Sequence, residues 1–335
     1  MALVLVTGGG GFLGGAIVRR LLARGDRVRG FARGEYPALS AAGVKMCRGD
    51  LSDDRAVIAA CKECDVVFHV AARAGIWGRA EAFHASNVRG TENVLTGCLR
   101  HGVARLIHTS SPSVVFDDHD QEGVDESVPY PARYSAHYPR TKAAAERLIL
   151  AAHGARLRTI ALRPHLIWGP GDNHLVPRIL ARARAGRLRR IGAANKRIDS
   201  TYIDNAADAH LCAADRLAAD PTVGGRAYFI SNGEPMPLWD LVNAILATAG
   251  LPPVTRRVPR SIARMAGTLC EIAYQLTGAE SEPPMTRFLA DELSTAHWFD
   301  LTAARRDLGY QPSVTIAEGL KHLRESQTAG GRLQS

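Results

Sequence analysis

The sequence predicts an α/β fold, a doubly wound parallel sheet with a smaller, mostly helical second unit. Three observations carry this. Short runs rich in Val, Ile and Leu alternate with helix-length segments through the first half, a glycine-rich turn joins the first run to the first helix, and the alternation stops after Gly169-Pro170-Gly171. Strands apolar on both faces belong to a parallel sheet covered by helices on both sides, and such a sheet needs long crossover connections. A chain of 335 residues has room for one large or two ordinary domains.

Taken in order, Leu3–Val6 reads as the first strand and Phe12–Arg24 as a helix ended by Gly25. Val28–Ala32, Val44–Cys47 and Val66–Val70 supply the second, third and fourth strands. Leu106–Thr109 and Thr159–Leu162 supply the fifth and sixth, preceded by helical stretches at Glu81–Arg100 and Tyr138–His153. Beyond Gly171 strands become sparse, Pro252-Pro253 and Pro283-Pro284 interrupt the chain, and helical segments dominate. This pattern divides the chain into a first domain over 1–172, rejoined by 197–230 through Tyr202–Asp204 and Ala227–Ile230, and a second over 173–196 and 231–328. The tail from Gln327 is expected to fray.

Composition narrows the class. Hydrophobic residues at 46% and charged residues at 22% suit a soluble globular chain and exclude a disordered or fibrous one. No apolar run approaches the roughly 18 residues of a spanning helix. The start, MALVLVTGG, lacks a basic region and a cleavage signature and reads as a strand, so the expected location is cytoplasmic, with peripheral attachment at a membrane as a variant. Six cysteines (Cys47, Cys61, Cys64, Cys98, Cys212, Cys270) form no disulfide framework and are expected as reduced thiols. Cys61 and Cys64 have CxxC spacing but no second pair, which favours packed thiols over metal or redox chemistry. The net charge of +9 invites a nucleic-acid reading. The basic residues are scattered, however, and no aromatic residues interleave with the densest run at Arg182–Arg190. An anionic cofactor with an acidic substrate explains the charge, and no nucleic-acid partner is expected.

Thr7-Gly8-Gly9-Gly10-Gly11-Phe12-Leu13-Gly14 follows a strand and opens a helix, the context that makes a glycine pattern a dinucleotide site. The glycines turn the backbone tightly and bring it close to a pyrophosphate, whose charge rests on the helix N-terminus. The first domain is therefore of Rossmann type and binds dinucleotide, which leaves the second to bind substrate. A site for NAD would carry Asp or Glu near the end of the second strand. Arg33 stands there instead and can hold a 2′-phosphate, which points to NADP(H); Glu35, two residues on, keeps NAD open under a shifted alignment. Asp50, in Gly49-Asp50-Leu51, faces the adenine amino group in one reading and caps the turn into the next helix in another.

Tyr138-Pro139-Arg140-Thr141-Lys142 places a tyrosine and a lysine four apart on one helix face. A free tyrosine with a pKa near 10 is a poor acid or base at neutral pH, and a nearby ammonium is expected to lower it. The fifth strand runs into Thr109-Ser110-Ser111-Pro112-Ser113, where a hydroxyl can orient a substrate carbonyl toward Tyr138. Ser111 is the choice, with Ser110 and Ser113 as the alternatives if the register shifts; the bland reading is that these serines cap a turn.

Together TGxxGxxG, the strand-end serine and YxxxK resemble the extended short-chain dehydrogenase/reductases, nearly end to end. Asn87–Leu95, Leu162-Arg163-Pro164, Trp168–Asp172 and Leu308–Pro312 match further signatures of that group. Within it the chain resembles the 3β-hydroxysteroid dehydrogenase branch. Arg33–Pro37, Ala74–Gly78, Ile167–His174, Asp199–Ala206 and Tyr228–Pro235 resemble most closely its 2-alkyl-3-oxoalkanoate reductases of bacterial long-chain olefin synthesis. The resemblance implies an NADP-linked enzyme that interconverts a hydrophobic β-oxo acid and its β-hydroxy acid. It implies catalysis by Ser111, Tyr138 and Lys142. The implied cofactor contacts are Gly8, Gly11, Phe12, Leu13, Gly14, Arg33, Asp50, Leu51, Ala71, Lys142 and Pro164, with Pro164 against the nicotinamide.

Other residues have plainer readings beside the functional ones. His69 reads as a core histidine bonded to backbone and Asn87 as a structural tie. Trp77 reads either as a wall for an acyl chain or as loop packing. Arg140, Arg163, His165 and Arg178 are all candidates for a substrate carboxylate. Val258–Leu276 carries an apolar stripe (Ile262, Met265, Leu269, Ile272, Leu276) behind Arg256, Arg257, Arg260 and Arg264. Core packing is the ordinary reading; a lid over a hydrophobic tail, or a basic amphipathic face on a membrane or a pathway enzyme, is the alternative. A homo-oligomer is a further expectation, with no segment assigned to it. The rival functions are a 3β-hydroxysteroid or sterol-4-carboxylate dehydrogenase, a nucleotide-sugar epimerase or reductase, and a non-catalytic NADP-binding protein.

Overall fold

Seven parallel strands organise the computed structural model, which describes residues 1–332. They are β1 (Leu3–Thr7), β2 (Arg27–Ala32), β3 (Lys45–Arg48), β4 (Val66–His69), β5 (Arg105–Thr109), β6 (Arg158–Pro164) and β7 (Arg226–Ile230). Their order across the sheet is β7-β6-β5-β4-β1-β2-β3. Successive strands are added outward from β1 in one direction through β3 and in the other from β4 onward. This switch between β1 and β4 opens a crevice at the carboxyl ends of the strands where a doubly wound sheet takes its ligand. Val4, Leu5, Phe68, Leu106, Ile107 and Leu162 are buried in the sheet, the two-sided burial that the apolar runs predict.

Helices α1 (Phe12–Ala23), α2 (His137–Ala151) and α3 (Ile203–Ala219) cover this sheet. Arg20 of α1 pairs with Asp204 at 3.1 Å and with Asp208, which ties α1 to α3. The stretch read as one helix over Glu81–Arg100 is broken: Ala80–Phe83 is α-helical, His84–Arg89 is a π-turn, and the α-helix resumes at Gly90. The π-turn places Asn87 where its Oδ1 accepts from Arg73 N at 2.7 Å and its Nδ2 donates to Thr141 Oγ1 at 3.0 Å. Asn87 thus ties the loop after β4 to α2, the structural role expected of it.

Thr201–Tyr202 pairs with Ile167–Trp168, and α3 begins at Ile203. Two readings need correction. The latter half is richer in strands than its sequence suggests. Arg197–Ile198, Met236–Pro237 and His297–Phe299 form a four-stranded sheet with Gln121–Val124, and Arg190–Ile191 pairs with Arg257–Val258. Strands of two to four residues offer too few alternations to show a period. The tail does not fray at Gln327, which accepts from Thr248 Oγ1 at 3.1 Å inside the helix Ile316–Arg332; residues 333–335 lie outside the described residues.

The last helix to note, α4 (Arg260–Thr277), overturns the core reading of its stripe. Ala263, Gly267 and Glu271 are its buried residues, and the apolar stripe faces outward.

Candidate active site

A cavity of about 930 Å³ opens at the carboxyl ends of the strands and runs from the glycine loop to the segment 282–299. Its cofactor end is built by local backbone. Gly8 adopts φ +70°, a left-handed turn that disfavours any side chain, and Gly11 N donates to Gly8 O at 2.8 Å. A Cβ at Gly14 would lie 2.0 Å from Gly8 O, so the turn closes only over a glycine. Helix α1 then starts at Phe12 with no side-chain cap and no acidic residue in its first turn. Its first N–H groups stay free for an anion, and the cradle fits a dinucleotide pyrophosphate.

Gly8, Gly11, Phe12, Leu13, Gly14, Arg33, Asp50, Leu51, Ala71, Lys142 and Pro164 all line this cavity. Arg33 is exposed at its mouth. Glu35 does not line the cavity; its carboxylate pairs with Arg48 at 3.2 Å. Asp50 is not a helix cap. Its Oδ1 accepts from Ser52 N at 2.9 Å and Ser52 Oγ at 2.7 Å, while Asp53 caps the helix that follows. Those bonds to Ser52, with the nearby Arg33 charge, hold the Asp50 carboxyl below the ordinary carboxylate range. Tyr36 also lines the site, packed so closely over Gly10 that a Cβ there would enter its ring.

The other end of the cavity gathers Ser111, Tyr138 and Lys142. Ser111 follows β5 and caps the short turn Pro112–Val115: its Oγ accepts from Ser113 N at 3.2 Å and lies 2.9 Å from Ser113 Oγ. It therefore caps the turn, as the plainer reading has it, and also lines the cavity. Lys142 is buried and donates to Thr109 O at 2.5 Å, with His108 Nε2 3.3 Å away. Burial drives its ammonium down to about 8 against the opposing pull of Glu146. The expected lowering of the tyrosine does not occur here. Burial raises the Tyr138 phenol and Glu292 adds to the rise, while Ser111 acts the other way. The ammonium is bonded to Thr109, and the phenol remains protonated at neutral pH.

The carboxylate candidates separate. Arg163 is committed to Glu146 in a buried, two-pronged pair at 2.7 and 3.0 Å, with Tyr130 donating to the same carboxylate at 2.6 Å. Arg140 lies outside the cavity beside His137 at 3.3 Å. Arg178 and His165 line the cavity; Arg178 pairs with Glu282 at 2.8 Å, and burial holds His165 neutral beside His297. Trp77 lies outside the main cavity, donating Nε1 to Ala279 O at 3.0 Å and resting edge-on against Tyr274; Ile76 lines the cavity instead. His69 bonds to two hydroxyls, Thr7 at 2.9 Å and Thr91 at 3.0 Å, rather than to backbone, and burial lowers it to about 3. Cys61, Cys64 and Cys98 are buried free thiols, and no metal-binding cluster occurs among the described residues.

Sequence reasoning missed Phe116, Gln121, Phe288, Glu292, His297 and Phe299 in the cavity wall. Glu292 is the most consequential, since burial raises its carboxyl to about 7 against the pull of Arg178. No local signal marks these residues, because Gln121 and His297 meet only through the four-stranded sheet.

A glycine cradle at the sheet's switch point that shares one cavity with a Ser–Tyr–Lys set defines a Rossmann-type oxidoreductase of CH–OH groups that uses a nicotinamide dinucleotide. Residues 5–260 match the 3-beta hydroxysteroid dehydrogenase/isomerase family, and the chain belongs to it. It is 50% identical to a 2-alkyl-3-oxoalkanoate reductase of Stenotrophomonas maltophilia over 97% of this chain and 99% of that one. It is 38% identical to isoform 1 of the 3beta-hydroxysteroid-dehydrogenase/decarboxylase of Arabidopsis thaliana, over 86% of this chain and 68% of the relative. Among solved structures it superposes on MoeE5 in complex with UDP-glucose and NAD with a TM-score of 0.76 and 25% identity, over 98% of this chain and 99% of that one.

Proposed function

We propose that this protein is an NADPH-dependent reductase that converts a 2-alkyl-3-oxoalkanoate to its 2-alkyl-3-hydroxyalkanoate, a step of long-chain olefin synthesis. The supporting observation is the composition of the cavity. Its substrate end combines the Ser–Tyr–Lys set and the cation Arg178 with apolar walls from Ile76, Phe116, Leu175, Phe288 and Phe299. Two alkyl chains and one carboxylate need such walls and such a charge. The near-complete match to curated reductases of this substrate supports the same reading. The second, smaller unit of the chain supplies Leu175, Arg178 and Phe288 and is thereby the substrate-binding domain.

When bound, the reduced dinucleotide supplies a hydride equivalent; Arg33 favours the form with a 2′-phosphate because Glu35 is engaged with Arg48. Ser111 donates to the substrate carbonyl oxygen and aligns it. Tyr138, kept protonated by burial, releases its proton to that oxygen as negative charge develops. Lys142 holds the resulting phenolate by its charge, from a position set by Thr109 O at 2.5 Å. Arg178 receives the substrate carboxylate in exchange for Glu282.

Product analysis by mass tests this reading. With NADPH and a 2-alkyl-3-oxo acid, the expected product is the 3-hydroxy acid with its carboxylate retained. A decarboxylated ketone as the main enzyme-dependent product, or faster turnover of a 3β-hydroxysteroid with NAD or of a nucleotide sugar, overturns it.

A further inference from the structure

Helix α4 has its amphipathicity inverted. Ile262, Met265, Leu269, Ile272 and Leu276 recur every three or four residues on one face, and they are between 48% (Ile272) and 83% (Leu276) exposed. The rotation of the helix is set by specific contacts on the opposite face. A Cβ at Gly267 would come 2.6 Å from the Thr286 carbonyl carbon, so the helix seats directly on that backbone. Glu271 accepts from Arg287 N at 2.7 Å and Nε at 2.8 Å, and Arg260 and Arg264 both reach inward to the buried carboxylate of Asp291. The stripe therefore cannot roll inward without breaking these bonds. Isolated exposed apolar side chains are ordinary, but five in one line call for a partner phase.

The charge beside the stripe identifies that phase. Strand Arg257–Val258 leads into α4 and pairs with Arg190–Ile191, with Arg190 N donating to Arg256 O at 2.9 Å. This brings the half-buried Arg190 beside the exposed Arg256 and Arg257 just ahead of the helix. No acidic residue occurs between 173 and 198 or between 241 and 270. A basic cluster leading into a one-sided apolar helix matches an anionic lipid surface, which takes the stripe into its acyl boundary and the guanidinium groups among its headgroups. A second copy fits poorly. At 18 residues, the helix is about 27 Å long and about 10 Å wide. It therefore offers about 270 Å² against the roughly 800 Å² per partner of a stable interface, and pairing would bring like charges together.

We infer that α4, with Arg190, Arg256 and Arg257, is a docking face for an anionic lipid bilayer. The face adjoins the cavity: Glu282, just beyond α4, lines the cavity and accepts from Ile76 N at 3.2 Å, while Trp77 bonds to Ala279 at the helix end. Docking thus sets the cavity mouth near the bilayer, where an acid with two alkyl chains partitions. That consequence rests on the substrate reading above; the lipid contact does not.

Co-sedimentation of the full chain with phosphatidylcholine vesicles, and with phosphatidylcholine–phosphatidylglycerol vesicles, tests the inference independently of catalysis. Binding to the anionic vesicles, weakened by salt, is expected. The double variant M265Q/L269Q should lose binding more than about tenfold, and each of R256Q and R257Q about fivefold. All three should keep the wild-type thermal midpoint, because these side chains are exposed. Absence of vesicle binding, equal binding to both vesicle types, or undiminished binding of the double variant overturns it. So does a concentration-dependent dimer that M265Q/L269Q dissolves, which would assign the face to a second copy.

Discussion

Lys142 donates to the carbonyl of Thr109 at 2.5 Å, and through that bond the helix that carries Tyr138 is pinned to the strand whose end carries Ser111. The lysine is buried and shares its surroundings with His108, which burial keeps neutral. One buried ammonium thus ties the two elements that carry the hydroxyl groups, with the buried Glu146 one turn further along the same helix opposing the effect of burial on it.

Replacing the proton donor should separate chemistry from binding. Tyr138→Phe keeps the ring and removes the proton, so turnover should fall about 10²–10⁴-fold, while dinucleotide affinity, read by fluorescence titration, stays near wild type. Turnover close to normal would remove Tyr138 from the mechanism.

Cofactor choice should depend on Arg33. Arg33→Ala should weaken NADPH binding by about 1.5–3 kcal/mol, the size of a lost charge-assisted bond, and leave NADH nearly unchanged. Equal weakening of both would mean that Arg33 only packs on adenine and does not read the 2′-phosphate.

The pH profile should report Lys142. Its ammonium is held down to about 8 by burial, so the charged form predominates below that pH and is lost as the pH rises through it. Tyr138 is shifted the other way and remains protonated over the same range. The kcat/KM for the reduced dinucleotide, which reports the free enzyme, should therefore decline above about pH 8. A plateau that persists to the ordinary tyrosine range would show that the lysine charge is not required.

The glycine turn should tolerate no side chain at its crossing point. A Cβ at Gly14 would meet the Gly8 carbonyl at 2.0 Å, so Gly14→Ala must open the cradle. Dinucleotide binding should be lost in titration, and the thermal midpoint should fall. Unchanged affinity would show that the cradle is not where the pyrophosphate rests.

The Glu146–Arg163 pair should act on stability. Both side chains are buried, and Arg163→Met leaves a carboxylate without its partner, at a cost of about 3–5 kcal/mol. Burial acts to raise Glu146, but the bonds and charge of Arg163 outweigh it and hold the carboxyl below its ordinary value. The stabilisation is therefore complete above the unfolded pKa and is lost as the pH falls through the folded one. Urea midpoints of wild type and variant should differ most near neutrality and converge in acid. A neutral-pH gap of less than about 1 kcal/mol, the size of an exposed pair, would contradict the assignment.

Residues whose partners lie within a few positions were legible in the sequence. The glycine turn closes on itself between Gly8 and Gly14, and Tyr138 and Lys142 share one helix face because four residues make about one turn. The first six strands of the parallel sheet were legible for a related reason, since each shows its burial in its own composition, whereas the short strand Gln121–Val124 and the π-turn at His84–Arg89 were not. Tertiary structure decided whatever depended on distant partners. Arg163 was one of four equivalent candidates until the fold set Glu146 against it. Glu292 and His297 enter the cavity wall only because the strand His297–Phe299 pairs with Gln121–Val124. The apolar period of α4 was plain in its residues, but its direction was not. A helix turns whichever face fits its seat, and here the small Ala263 and Gly267, with Asp291 drawing two arginines inward, hold the polar side down and leave Met265 and Leu269 exposed.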